Sequence, residues 1–525
     1  MSKTQRIISH YNNIYGGQLV STSVKVKKGL IEKERTEAII VSRYQDVGKV
    51  DGAIAHLNKV LRGRLRTHLR SGEFQGKLNQ VSILHINGEL PAKRIVLVGL
   101  GKKTEVRIDS IRQAMGTVSK AMRLLGVTSF TLAAPEQGIA RTTLEITSQA
   151  MIEGCLLGLY QFKYYQMSRE KSPKPIRGIT LLTREENGVG MMRAGAQRAC
   201  VVAEAVNSVR DLCNHPSNVL TPSALASEAR TIAKARGIRC TILDRVKTKK
   251  LGMGAYLGVA RGSHEPPQFI VLEYTGVPRT ANPIVLVGKA VTFDTGGISL
   301  KPSENMERMK ADMTGGAIVL QTIRAIAKLK LPLNVVGIIP ATENMPGGLA
   351  TKPGDILTSL SGKTIEVLNT DAEGRLILAD GLAYAMRYKP AAVIDIATLT
   401  GAVFVALGRH AIGVLGNDDA LINRVKRIGE FIGERAWQLP LWDEYKEQIK
   451  SDVADVRNIG GRGGGTITAA AFLSHFVDDG CPWVHLDIAG TDWGESARPY
   501  IPKGPTGIGA RLIIELLQDL AGKPL

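Results

Sequence analysis

A chain of 525 residues is too long for one ordinary core, so two or three domains are expected. Hydrophobic residues at 44%, charged residues at 22% and a mean hydropathy near zero exclude both a membrane-embedded bundle and a disordered chain. The net charge of +20 is unevenly divided: residues 1–200 hold 32 Lys and Arg against 15 Asp and Glu, net +17, while residues 201–525 hold 36 against 33, net +3.

The basicity therefore belongs to the first part of the chain, with Arg62, Arg64, Arg66 and Arg70 in one short segment. Two readings fit equally: an acidic partner such as nucleic acid, or a solvated cationic face. Aromatics at 5% argue against a surface built to stack bases. The five cysteines (Cys155, Cys200, Cys213, Cys240 and Cys481) are odd in number and form no CxxC. They read as packed thiols in a reducing compartment.

Along the chain, the N-terminal stretch MSKTQRIISHYNNIYGG lacks a continuous apolar run, so no secretory signal is expected. Strands are expected at 38–41, 94–98, 130–133 and 178–182, with an exposed loop at 169–178 (REKSPKPIRG). A long helix without proline is expected over 189–213, followed by strands at 269–273, 284–287, 333–339, 392–397 and 483–488. The longest apolar stretch, 391–408, contains Asp395, Thr398 and Thr400, and reads as a strand and a buried helix rather than a membrane span. Alternating strands and helices predict an α/β fold of two domains, a basic one over 1–186 and a second over 214–525, joined by a helix at 187–213.

VGLGKKT at 98–104 lacks the spacing of a phosphate loop and reads as a strand-ending turn. HExxH and GxSxG are both absent. His485, inside an apolar strand, reads as a hydrogen-bonded core imidazole, and His215, before Pro216, as a helix-end residue.

Two segments concentrate charge where strands end. VGKAVTFDTGGISLKPSENMERMKADMTGG (287–316) carries Lys289, Asp294, Lys301 and Asp312 around a Gly296-Gly297 turn. NTDAEGRLILADGLAYA (369–385) carries Asp371, Glu373 and Arg375 just before a helical run. Burying so many charges costs several kcal/mol per ion unless they neutralise one another or bind metal. Carboxylates suit Mg, Mn or Ca, and zinc accepts them too. Two cations roughly 3.5–4 Å apart need bridging carboxylates, which four acids can supply. A lysine can join only as the neutral amine, which a neighbouring dication enforces. Singly, each residue reads as a surface charge or a cap, and Asp371 as the N-cap of the following helix. The seven together favour a metal site.

Both segments resemble the signatures of the leucyl aminopeptidase (cytosol aminopeptidase) family of dinuclear-metal peptidases, and NTDAEGR at 369–375 is its hallmark. The likeness extends through ATLTGA, RNIGGRGGGTITAAAFL and HLDIAGT at 485–491, and is weaker over the first 190 residues. It implies a macro-like N-terminal α/β domain and a C-terminal catalytic α/β domain with a mixed central sheet. It implies a tight metal site made by Lys289, Asp294, Asp312 and Glu373, and an exchangeable one made by Asp294, Asp371 and Glu373. The two divalent cations would be zinc or manganese, alike or mixed. Lys301 would be the electrophile at the reacting carbonyl, and Arg375 would hold a bicarbonate acting as general base. Met309, Thr398, Gly401 and Ala489 would line the pocket for the first side chain. Asp492 departs from the family's apolar or small residue beside that pocket, and an acidic rim favours basic or polar first residues. The implied protein is a cytoplasmic homohexamer releasing N-terminal residues from short peptides through a hydroxide activated by two metals. The rival readings are a DNA-binding or architectural role for the basic domain, and a Cys-Gly dipeptidase sharing the same site.

Overall fold

The computed structural model describes residues 6–8, 22–166, 174–234 and 237–524. The chain divides into two compact units, one of residues 1–204 with 496–503, the other of 205–495 with 504–525. Most of the N-terminal stretch, and residues 169–173 of the expected loop, lie outside the described residues; 174–177 are irregular.

The first unit is a seven-stranded sheet in the order β1-β2-β7-β6-β3-β5-β4. Its strands are β1 (Arg6–Ile8), β2 (Ser23–Lys28), β3 (Ile39–Arg43), β4 (Val81–His85), β5 (Arg94–Gly99), β6 (Ser129–Ala133) and β7 (Gly178–Thr183). Five strands run parallel, and the edge strands β1 and β4 run antiparallel to their neighbours. Helices α1 (Gly52–Val60), α2 (Arg64–Arg70), α3 (Ile108–Leu124) and α4 (Leu144–Gly158) complete it. Ile39 and Val41 of β3 and Ile95 and Leu97 of β5 share a core with Ile54 and Leu57 of α1. The turn after β5 is the one expected of residues 98–104.

Helix α5 (Val189–Asn214) contains the boundary between the units. The second unit is a nine-stranded mixed sheet built from β8 (Ile238–Leu243), β9 (Gln268–Thr275), β10 (Ile284–Gly288), β11 (Ala290–Asp294), β12 (Asn334–Asn344), β13 (Ala392–Ala397), β14 (Ile412–Gly416), β15 (Ala436–Gln438) and β16 (Trp483–Asp487). The central strands β16, β13, β10 and β12 are parallel, and β14 and β9 flank them antiparallel. Side-chain alternation sends Val285 and Val287 of β10 into a core with Leu376–Ala379 of α6 (Glu373–Ala385). The other face is covered by α7 (Thr314–Leu329): a Cβ on Gly337 would meet its Val319 and Ile323 at 2.8 and 3.1 Å. Parallel central strands place their carboxyl ends along one edge, and the first charged segment, with Lys289 after β10 and Asp294 at the end of β11, leaves the sheet there.

One expectation changes. After β13, the apolar run forms α8 (Gly401–Leu407), which is not buried: only Val403 is covered and Val405 is 84% exposed. Apolar composition alone does not reveal whether a short helix has a partner.

All five cysteines are free, and Cys155, Cys200 and Cys213 are buried. Burial pushes each of these three thiols up to about 12. Among the described residues no helix is long and apolar enough to cross a membrane.

Candidate active site

Lys289 follows β10 directly, its main chain pinned by Lys289 N–H to Ile396 O (3.1 Å) and by Gly316 N–H to its own carbonyl (2.7 Å). Its side chain is 4% exposed. The ammonium lies 2.7 Å from Asp312 Oδ1 and 2.9 Å from Glu373 Oε1, and donates to Thr398 O at 2.9 Å. Asp294 ends β11 and is held from two sides: its Oδ1 accepts from Gly296 N at 2.9 Å and from Asn344 Nδ2 at 2.8 Å. Its Oδ2 lies 2.8 Å from Lys301 Nζ, which also contacts Asp371 Oδ1 at 2.5 Å.

The Gly296-Gly297 turn brings Lys301 back to this edge. Both glycines have positive φ (88° and 67°), and the turn closes with Lys301 N–H on Thr295 O at 2.9 Å. A Cβ on Gly296 would sit 2.4 Å from Ser299 O. Glycine is therefore required by conformation and by space.

The 369–375 segment differs from its sequence reading. Helix α6 begins at Glu373 itself, so Glu373, Gly374 and Arg375 form its first turn. Asp371 does not cap this helix: Ala372 holds the N-cap position without a side-chain bond, and the Asp371 carboxylate turns to Lys301. Arg375 is 7% exposed and donates through Nη1 to Asn458 O at 2.7 Å, while its buried Nε has no partner among the described residues. Burial lowers its pKa to about 10, against the pull of Glu373 and Asp487.

Four carboxylates thus face two ammonium groups at close range. Burial and mutual repulsion raise the pKa of Asp312 well above its ordinary value, and raise those of Glu373 and Asp371 as well. Burial works against the charge on Lys289 and Lys301, but the surrounding carboxylates overcome it and raise both. Among the described residues, Asp312 Oδ2 is buried without a hydrogen-bond partner, and Asp371 Oδ1 and Glu373 Oε1 have lysine contacts but no hydrogen bond of proper geometry. Asp294, Asp371 and Glu373 each offer a ligand atom within 4.8 Å of the others. Hard, clustered, under-satisfied oxygens fit divalent cations.

Of the expected pocket residues, Thr398 and Met309 contact Asp312 of this cluster. Thr398 Oγ1 donates to Asp312 Oδ1 at 2.8 Å. Gly401 opens α8 with free space where a Cβ would stand, and Ala489 N–H donates to Asp487 Oδ1 at 3.2 Å. Met309 accepts the Asp312 N–H on its carbonyl (3.2 Å) and is half-buried. Asp492 is half-buried; burial pushes its carboxyl up to about 7, with Arg409 acting in the opposite direction.

Sequence reading passed over the supporting residues. Asn344 ties Asp294 to Thr370 O (3.1 Å), and Asn458 accepts the amides of Leu368 and Asn369. Asp487 organises the 399–400 loop, accepting from Leu399 N and Thr400 Oγ1. Polar residues at strand ends were the available signal. His485 is the core imidazole expected, fully buried with Nδ1 2.5 Å from Asp395 Oδ1, and His215 follows the last residue of α5.

A sheet edge carrying buried Lys289 and half-buried Lys301 among clustered carboxylates fits a divalent-metal enzyme. The model of the cytosol aminopeptidase family's catalytic domain matches residues 207–514, and that of its N-terminal domain matches 40–169. A probable cytosol aminopeptidase of Geobacter sulfurreducens is 49% identical over 486 residues, 92% of this chain and 96% of its own length. One of Geotalea uraniireducens is 50% identical over 467 residues, 88% and 93% of the two chains. Among solved structures, the bottromycin maturation enzyme BotP in complex with Mn superposes with a TM-score of 0.82 at 33% identity, covering 93% of this chain and all of that one. A mutant of tomato leucine aminopeptidase gives 0.84 at 32% identity, covering 96% and 98%. The chain belongs to the cytosol aminopeptidase family. It is a metal-dependent aminopeptidase with two α/β domains.

Proposed function

We propose that the cluster around Asp294 holds two divalent cations and removes the N-terminal residue of short peptides. The observation that carries this is the convergence of Asp294, Asp371 and Glu373 within 4.8 Å, beside a second group in which Lys289 contacts both Asp312 and Glu373. Lys289, Asp294, Asp312 and Glu373 would hold one cation, and Asp294, Asp371 and Glu373 the other, as zinc or manganese. Cations bound there would supply Lewis-acid chemistry, polarising a substrate carbonyl and lowering the pKa of water. Lys301, freed from its two carboxylates as positive charge enters, donates a hydrogen bond to the developing oxyanion. The unpartnered Nε of Arg375 fits a small anion, and a bicarbonate held there would accept a proton. Met309, Thr398, Gly401 and Ala489 receive the first side chain, with Asp492 at its rim favouring a basic or polar one. Metal analysis of purified protein, then activity after chelation and add-back of zinc or manganese, tests the reading. Full activity in metal-free protein overturns it.

Assembly and location are part of the same proposal. Exposed Leu300, Leu349 and Val405 support burial between copies, in a homohexamer that light scattering would size. The buried thiols and the family's cytosolic relatives support a cytoplasmic enzyme. One observation favours a second role, weak duplex DNA binding: Arg62, Arg66 and Arg70 are exposed on and beside α2, while Arg64 pairs with Glu89. Replacing the four arginines with glutamine should reduce retention on DNA at low salt and leave peptide hydrolysis unchanged. Equal retention would leave α2 as a solvated face. No observation favours the Cys-Gly reading.

A further inference from the structure

The first unit contains a cavity that peptide hydrolysis does not use. Its volume is about 380 Å³, within the range of small-molecule sites. It lies beyond the carboxyl ends of β2, β3, β5, β6 and β7, where Gly29, Tyr44, Leu100, Ala134 and Thr183 line it. The chain leaves β3 towards β5 on one side and then crosses to β6 on the other, so a topological switch point falls at this place. In open parallel sheets, such a point opens a crevice suited to ligands.

The lining has three chemistries. The floor is apolar, made by Ile31, Val41, Ile54, Ile139 and Leu182, all buried. On one side stands the first turn of α1. Among the described residues no acceptor is seen for the Gly52, Ala53 and Ile54 amides, and Asp51 makes no side-chain cap bond. Beside that turn are two cations, Arg43 and Lys103, neither of which is ion-paired among the described residues. Arg43 is fixed by its own loop, donating to Val47 O at 2.6 Å and Lys49 O at 3.2 Å. The Lys103 ammonium lies 5.9 Å from the centre of the Tyr44 ring. The third chemistry is a pair of exposed carboxylates at the rim, Asp51 and Glu136.

We propose that this cavity binds a phosphorylated nucleoside. Free helix amides with Arg43 and Lys103 take the phosphate, whose charge the helix N-terminus also favours. Asp51 and Glu136 accept hydrogen bonds from sugar hydroxyls, and the apolar floor beside Tyr44 takes the base. The inference stands on the first unit alone and is independent of the peptidase assignment.

The test is calorimetric titration of the full-length, chelator-treated enzyme with ADP, with adenosine and inorganic phosphate as partial probes. Chelation keeps the nucleotide from binding through catalytic cations. Saturable binding of one ADP per chain is expected, at least about tenfold tighter than either partial probe. Ala53→Trp, which fills the cavity beside α1, should abolish it. Lys103→Gln, an exposed change, should weaken it about tenfold. Peptide hydrolysis by both variants after metal is restored should equal wild type, which also shows that they fold. Absence of saturable ADP binding at about 5 mM overturns the proposal. So does undiminished binding by both variants, which places the nucleotide elsewhere. Phosphate binding as tightly as ADP overturns the nucleoside assignment.

Discussion

Gly374 leaves room for Lys289: a Cβ at position 374 would lie 2.7 Å from Lys289 Cε and 2.8 Å from its Nζ. The lysine passes over the first turn of α6 to reach Asp312 and Glu373, and a side chain at 374 would force it to shift. Gly374→Ala should therefore expel Lys289 from its carboxylates. Alanine improves an exposed helix interior by about 1 kcal/mol, but this is outweighed where real Cβ atoms essentially never approach so closely. Activity and metal content should fall together, as kinetics and elemental analysis of the purified variant would show. Normal turnover would mean that Lys289 is dispensable at its present position.

Glu373 is expected to serve both cations. Glu373→Ala should lose at least one metal per chain and nearly all activity, while its circular dichroism stays that of a folded protein. A variant with full metal content and near-normal turnover contradicts the bridging role.

Lys301 contacts carboxylates yet is expected to act on substrate. Lys301→Ala should lower kcat on the order of 10²–10³-fold, as for loss of an oxyanion donor, with both metals retained. Metal analysis beside the kinetics separates this from a structural role, because loss of metal in the variant would assign Lys301 to holding the site together.

His215 gives the fold an acid-sensitive group away from the carboxylate cluster. Burial, helped by Lys310, lowers its pKa to about 4 from an ordinary value near 6.5. The unfolded chain then binds more protons between those values, so this contribution is present above about pH 6.5 and is lost as pH falls towards 4. His215→Gln should flatten that part of the stability profile. Urea midpoints at about pH 7.5 and pH 5 would measure it, and an unchanged difference between them would show that His215 is not responsible.

Much of the central sheet was legible because parallel strands buried on both faces are nearly continuous apolar runs. The strands expected at 284–287 and 392–397 became β10 and β13, and the helix at 189–213 became α5 with one more residue. Strand β12 runs five residues beyond its expected end, to Asn344. Its polar ending reads as a loop until Asn344 is seen holding Asp294. The edge strands β4, β8 and β15, and β14 beside β15, escaped notice, and α8 was expected in the core though most of its surface is exposed.

By itself the sequence determined the chemistry at stake: which acids, lysines and glycines stand where strands end, and a spacing that resembles one peptidase family. That information is local, since strand periodicity and the cost of burying charge act over a few residues. Only tertiary structure decided which charges meet. Lys289 and Glu373 are 84 positions apart, and Asp294 and Asn344 are 50 apart; each pair converges because β10, β11 and β12 align their carboxyl ends and α6 starts against them. The turn of Asp371 away from a helix cap and the room that Gly374 leaves for a lysine arise from that convergence, and no neighbour in sequence encodes either.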